Sequence, residues 1–180
     1  STRKESSAAS DVYKRQLMSD VGIATAMQYT PASSGTQDYL AERALRDYFD
    51  YDASLIGRSD EGAAHFVEIL KKEIRNGFPL YMSGMSAGGG GGHAWVCDGF
   101  DSEDRFHMNL GWGGQANGYY SVTALNITST GSEFGGKPLT FSRSLHVIAI
   151  HPNKPNTPKI DADIAYKSPN IAFRPVSYTH

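Results

Sequence analysis

Apolar positions follow two different periods along this chain, and the change falls at Gly77. Before it the spacing is helical. Between Thr36 and Tyr48, the residues Leu40, Ala44, Leu45 and Tyr48 fall on one face, which predicts an amphipathic helix. A second helix is expected from Glu61 to Asn76, capped by Ser59, with Phe66, Ile69, Leu70 and Ile74 buried. Gly77 would end it, and Lys71, Lys72 and Arg75 suit its C-terminal end. Further upstream, Leu17 to Tyr29 reads as apolar and compact. Leu17, Met18 and Val21 make one helical turn there, and Gly22 is its expected stop. Pro31 to Gly35 reads as a loop.

After Gly77 the pattern is that of strands. Pro79 to Met85 is one, followed by a glycine-rich loop from Ser86 to Gly92. His93 to Phe100 and Arg105 to Trp112 are two more, joined by the polar turn Asp101-Ser102-Glu103-Asp104. Gly118 to Val122 and Leu139 to Ile150 complete the set. Tyr119 and Tyr120 are expected to face opposite sides of the sheet. Helices first and an antiparallel sheet afterwards define an α+β class. From Pro152 the chain is proline-rich and reads as a linker or the start of a further module.

Composition narrows the function classes. A length of 180 residues suits one domain, and the net charge of -2 gives no reason to expect nucleic acid or an acidic membrane as partner. No apolar run is long enough for a transmembrane helix, and STRKESSAASDVYKRQ holds no apolar core of a secretory leader. The single cysteine, Cys97, excludes an internal disulfide and a cysteine-rich zinc site. The Gly88–Gly92 run lacks the Gly-Lys-Ser/Thr of a phosphate loop, so no cofactor is implied. His93, Asp98 and His107 do not have a familiar metal-ligand spacing. His65 reads as a surface or packing residue, and His146 and His151 belong to no motif. The strings SSAASDVYKR and RPVSYTH at the two ends resemble translated sequencing-adapter DNA. Residues 1–16 and 174–180 are therefore read as non-native tails, with ordinary disordered tails as the alternative.

The chemistry concentrates in Gly91-Gly92-His93-Ala94-Trp95-Val96-Cys97-Asp98-Gly99 and His107-Met108-Asn109-Leu110-Gly111-Trp112-Gly113-Gly114. A hairpin turning near Ser102 sets position 93 opposite roughly position 110, so Asn109 is expected beside His93 within one residue. Whether the two face the same way depends on a register that the sequence leaves open. A general-base imidazole needs one nitrogen aimed at a nucleophile and the other held by a fixed acceptor, which an asparagine carbonyl can supply. Trp112 could shield that bond from water. The plain alternative is that His93 and Asn109 merely cap a sheet edge.

These motifs resemble the streptopain family of papain-like bacterial cysteine peptidases, in the right order and with the right short gap. The resemblance runs roughly from Leu17 to Ile150, with weaker matches at Leu17-Met18, Val21-Gly22-Ile23, Arg43-Ala44-Leu45 and Gly118-Tyr119-Tyr120. It implies a papain-like fold over residues 17–151 and a cysteine endopeptidase acting on proteins or peptides. It implies His93 as catalytic base, Asn109 as its orienter and Gly92 as a backbone contact to substrate. Ser33, Ser34 and Gly35 would form a substrate-binding wall, and Gly88–Gly92 a mobile loop framing the site. A propeptide or inhibitor as partner and an extracellular location follow on the same basis. Leu110 departs from the family pattern, which has tryptophan there.

The family's nucleophilic cysteine lies upstream of every matched segment, so the chain is expected to be the C-terminal part, inactive alone. Cys97 is no substitute. Four residues along a strand put it about 13 Å from His93, whereas a thiolate–imidazole pair needs about 3 Å. It reads as a small buried hydrophobe. The rival function is a non-catalytic module that binds peptides or an inhibitor. A purely structural domain, a third reading, would bind neither.

Overall fold

The structure is a computed structural model and describes residues 2–31, 33–87, 91–122, 125–127 and 139–160. Thirteen elements are described, beginning with α1 (Thr2–Ala24), β1 (Gln28–Tyr29), β2 (Ser34–Gly35) and α2 (Asp38–Tyr48). The chain continues with β3 (Tyr51–Gly57), α3 (Arg58–Glu61), α4 (Ala63–Arg75), β4 (Leu80–Ser86) and β5 (Gly92–Phe100). It ends with β6 (Arg105–Asn109), β7 (Gly118–Ser121), β8 (Leu125–Ile127) and β9 (Leu139–Pro152). Strands β1 and β2 form a small hairpin, and the other seven form one antiparallel sheet. Its order is β3-β9-β4-β5-β6-β7, with β8 pairing β9. Helices followed by a large antiparallel sheet make the fold α+β, as expected.

The core lies where α4 covers one face of the sheet. Phe66, Ile69 and Leu70 of α4 are buried against Leu80 and Met82 of β4, Trp95 and Cys97 of β5, and Phe106 and Met108 of β6. Alternation explains the choice of face: residues 80, 82, 95 and 97 point inward while Val96 and Asp98 point out. On the opposite face, near β9 and β4, α2 is tied down through Asp38. Its carboxylate accepts hydrogen bonds from Tyr81 Oη (2.9 Å), Ser83 Oγ (2.7 Å) and His146 Nδ1 (2.9 Å).

Several expectations change in detail. Gly22 does not stop the first helix, which runs unbroken from Thr2 to Ala24, so the boundary expected near Gln16 falls inside it. Leu17, Met18 and Ile23 are exposed on that helix rather than packed. Ser59 does not cap the long helix. It sits inside the short α3, and Gly62 breaks the helical run with φ 75° before α4 begins. Tyr48 is exposed, because α2 rests on the sheet through Ala44. Strand β3 was not foreseen. Tyr51–Gly57 is buried by pairing with β9, a partner about a hundred residues away that local pattern cannot reveal. Residues 153–160, expected as a linker, are bonded back to the sheet. His151 Nδ1 donates to Pro158 O at 2.7 Å, and the Ile160 amide donates to Asp52 Oδ2 at 3.0 Å. The expected tail 174–180 and most of the Gly88–Gly92 run lie outside the described residues.

Candidate active site

His93 is the second residue of β5 and points to the core face, as Trp95 and Cys97 do. Gly84, its partner on β4, makes room. A Cβ there would stand 2.9 Å from Leu145 and 3.1 Å from the Trp95 ring. Three aromatic rings surround the imidazole: Trp112 at 4.7 Å between centroids, Phe141 at 5.8 Å and Trp95 at 6.3 Å. Burial among them holds the imidazole below the ordinary histidine pKa, and a hydrogen bond from its ring to the Leu110 carbonyl partly offsets this. That bond runs from Nε2 to the main-chain oxygen of Leu110 at 2.9 Å. Among the described residues Nδ1 has no hydrogen-bond partner. The histidine is therefore held at one nitrogen and open at the other, as a general base requires.

Asn109 does not orient it. Strands β5 and β6 begin in register, with Phe100 opposite Phe106 and Gly99 opposite His107. The register then slips, so that Cys97 faces Met108 and Val96 faces Asn109. Had the first register continued, Asn109 would face Cys97 and share the side of His93. The one-residue bulge at Asp98 on β5 instead leaves His93 and Asn109 on opposite faces. Asn109 is exposed, and its Oδ1 accepts the Gly111 amide at 3.1 Å. The same slip delivers the Leu110 carbonyl to His93. The side chain of Leu110 is itself buried in the core, 1% exposed. A glycine inside a strand pattern, here Gly99 after Asp98, was the available signal for the bulge. Phe141, on a strand remote in sequence, had none.

Trp112 lies beside the imidazole, partly packed on the core, and the His93–Asn109 bond it is expected to shield does not form. Gly92 opens β5 opposite Met85. A side chain there would meet Met85 Sδ at 2.7 Å and the Gly84 carbonyl at 3.3 Å, so the position is closed to larger residues without adjustment. Ser33, Ser34 and Gly35 are exposed in the separate β1–β2 hairpin, where the Ser33 amide donates to Thr30 Oγ1 at 3.0 Å. Cys97 is fully buried, and its burial pushes the thiol up to about 12. It is thus a neutral core residue at physiological pH. Asp98 and His107 meet on the outer face, Oδ1 to Nδ1 at 2.5 Å, while His93 points inward, so these three do not converge. His65 is exposed and lies 3.4 Å from Glu61.

His93 is thus a shielded, singly tethered histidine near the start of a sheet strand. The chain belongs to the Peptidase C10 family, whose sequence profile matches residues 2–120. It is 37% identical over 149 residues to the thiol protease/hemagglutinin PrtT of Porphyromonas gingivalis, covering 82% of this chain and 17% of that one. It is 38% identical over 122 residues to streptopain of Streptococcus pyogenes, covering 67% of this chain and 30% of that one. Among solved structures it resembles active interpain A, a cysteine protease of Prevotella intermedia. The TM-score is 0.61 at 28% identity, over 73% of this chain and 53% of that one. A prointerpain A fragment gives a TM-score of 0.57 at 27% identity, over 73% and 39%. The chain thus spans less than a third of the length of these curated relatives.

Proposed function

We propose that this chain supplies the base-bearing half of a streptopain-like cysteine endopeptidase that cleaves protein substrates. The observation that carries the reading is His93, tethered through Nε2 to the Leu110 carbonyl and, among the described residues, open at Nδ1. A thiol placed at Nδ1 would give up its proton to the imidazole. The thiolate would then attack the scissile carbonyl carbon, forming a C–S bond. As the C–N bond breaks, the His93 imidazolium returns the proton to the departing amine. A water molecule, deprotonated by His93, then hydrolyses the thioester. Trp112 keeps bulk water from the tether, and Gly92 and the Ser33-Ser34-Gly35 hairpin would hold the substrate.

The nucleophile has to come from outside these 180 residues, because Cys97, the only cysteine, is buried with a neutral thiol. The chain by itself is therefore expected to be inactive. Export from a bacterial cell and a propeptide partner fit the same reading. Among the described residues no helix is long and apolar enough to cross a membrane. The test is to read the source locus beside this sequence and assay the resulting protein on casein. Activity lost on His93→Ala supports the reading. Activity of the 180-residue chain alone, abolished by Cys97→Ser, would refute it. A locus with no cysteine beyond Cys97 would leave the module to bind peptides without cutting them.

A further inference from the structure

The slip between β5 and β6 decides which group reaches His93, so what holds the slip in place bears on the base. Within Val96–Phe100, Asp98 alone has no partner on β6: Cys97 pairs with Met108 and Gly99 with His107. An unpaired extra residue disrupts the ladder and would be lost to a regular register unless something favours it. Here the extra residue is tied across the strands. Its carboxylate oxygen lies 2.5 Å from His107 Nδ1, so His107 donates from the residue opposite Gly99 to the residue just before it. This is a charge-assisted bond, short for its type. From the next strand, Tyr119 lays its ring 5.2 Å from that of His107. Neither Asp98 nor His107 contacts His93, which faces the other side of the sheet.

We propose that Asp98 and His107 form a clasp that fixes the bulge and so are positioning residues for His93. With the clasp closed, Asn109 is held on the outer face and the Leu110 carbonyl lies on Nε2. With it open, the strands gain a regular register in which residues 93–97 of β5 reverse face, so that His93 joins Asn109 on the outer side and leaves the Leu110 carbonyl. The proposal rests on reading His93 as the base, but its test does not require activity.

The tautomer of His93 is read from its ring nitrogen shifts by NMR in the 180-residue chain, comparing wild type with Asp98→Ala, His107→Ala and His107→Asn. The wild-type ring is expected to be almost wholly the Nε2–H form, as a carbonyl acceptor demands. Both alanine variants are expected to show a mixture of the two tautomers, with the Nε2–H signal exchanging at least tenfold faster. His107→Asn, whose amide can still donate to Asp98, is expected to restore the wild-type pattern. Folded alanine variants that keep the single tautomer would overturn the proposal. Loss of the folded spectrum in both would also overturn it, since the pair would then be a general stabiliser of the sheet. Failure of the peptidase reading shows separately, as activity that survives His93→Ala in the assayed protein.

Discussion

The indole of Trp112 lies 4.7 Å from the imidazole of His93, tilted by 31°, and that imidazole donates its Nε2–H to the Leu110 carbonyl. Removing it should let water compete for that bond. Trp112→Ala is expected to raise the His93 midpoint toward its ordinary value and to speed exchange of its Nε2–H. Asn109→Ala should change neither, because among the described residues its side chain bonds only the exposed Gly111 amide; its stability cost should be about 1 kcal/mol or less. An NMR titration of the two variants separates these outcomes. A shift with Asn109→Ala and none with Trp112→Ala would reverse the assignment.

His93 also ties stability to pH. Burial depresses its folded pKa below the unfolded value of 6.5, so the unfolded chain binds the proton more readily. The stability that depends on a neutral imidazole is present above about pH 6.5 and lost as pH falls through the folded pKa. Urea midpoints should therefore drop between pH 7 and pH 5 in wild type, and less steeply in His93→Gln.

Asp38 acts lower on the scale. Burial raises its carboxyl, but hydrogen bonds from His146, Ser83 and Tyr81 outweigh this and hold the pKa below 3.8. Its contribution is full above 3.8 and lost as pH falls through the folded value. Asp38→Ala should cost about 2–4 kcal/mol at pH 7, since it removes the acceptor of three hydrogen bonds at a part-buried helix start. Chemical denaturation at pH 7 and pH 3 checks both the size and the narrowing of the gap.

Cys97 offers a probe of the core. A neutral thiol with no exposed surface should react with Ellman's reagent only when the sheet opens. Modification should track global unfolding in urea. Rapid labelling of the folded chain would show that β5 frays at its centre.

Gly84 faces His93 across the β4–β5 ladder with Trp95 and Leu145 pressed into the space a side chain would occupy. Gly84→Ala should cost about 1–3 kcal/mol by overpacking and move the Trp95 ring. Thermal denaturation and tryptophan fluorescence report the two effects together.

Periodicity made the layered plan legible: the turn at Asp101–Asp104, the inward pair of Phe66 and Leu70, and the opposite faces of Tyr119 and Tyr120 all follow from local spacing. What it could not convey depends on distant partners or on a single inserted residue. Tyr51–Gly57 becomes a strand only because β9 lies beside it. An unbroken ladder would set Asn109 on the side of His93, and one unpaired residue at Asp98 on β5 puts the two on opposite faces. His151 sits in no motif, yet its ring is enclosed between Glu73 Oε2 at 2.5 Å and Pro158 O, a buried bond across 78 residues.

That the orienting atom of His93 belongs to the main chain alters how the site can change over generations. An asparagine side chain can be deleted by one codon change; a peptide oxygen is supplied by whatever residue stands at position 110. The site therefore tolerates turnover of identity there, provided the newcomer still fills the core space Leu110 occupies. Its vulnerability lies instead in insertions and deletions between Cys97 and Leu110, where a single added or missing residue would redirect the chain and leave every residue of the proposed site intact.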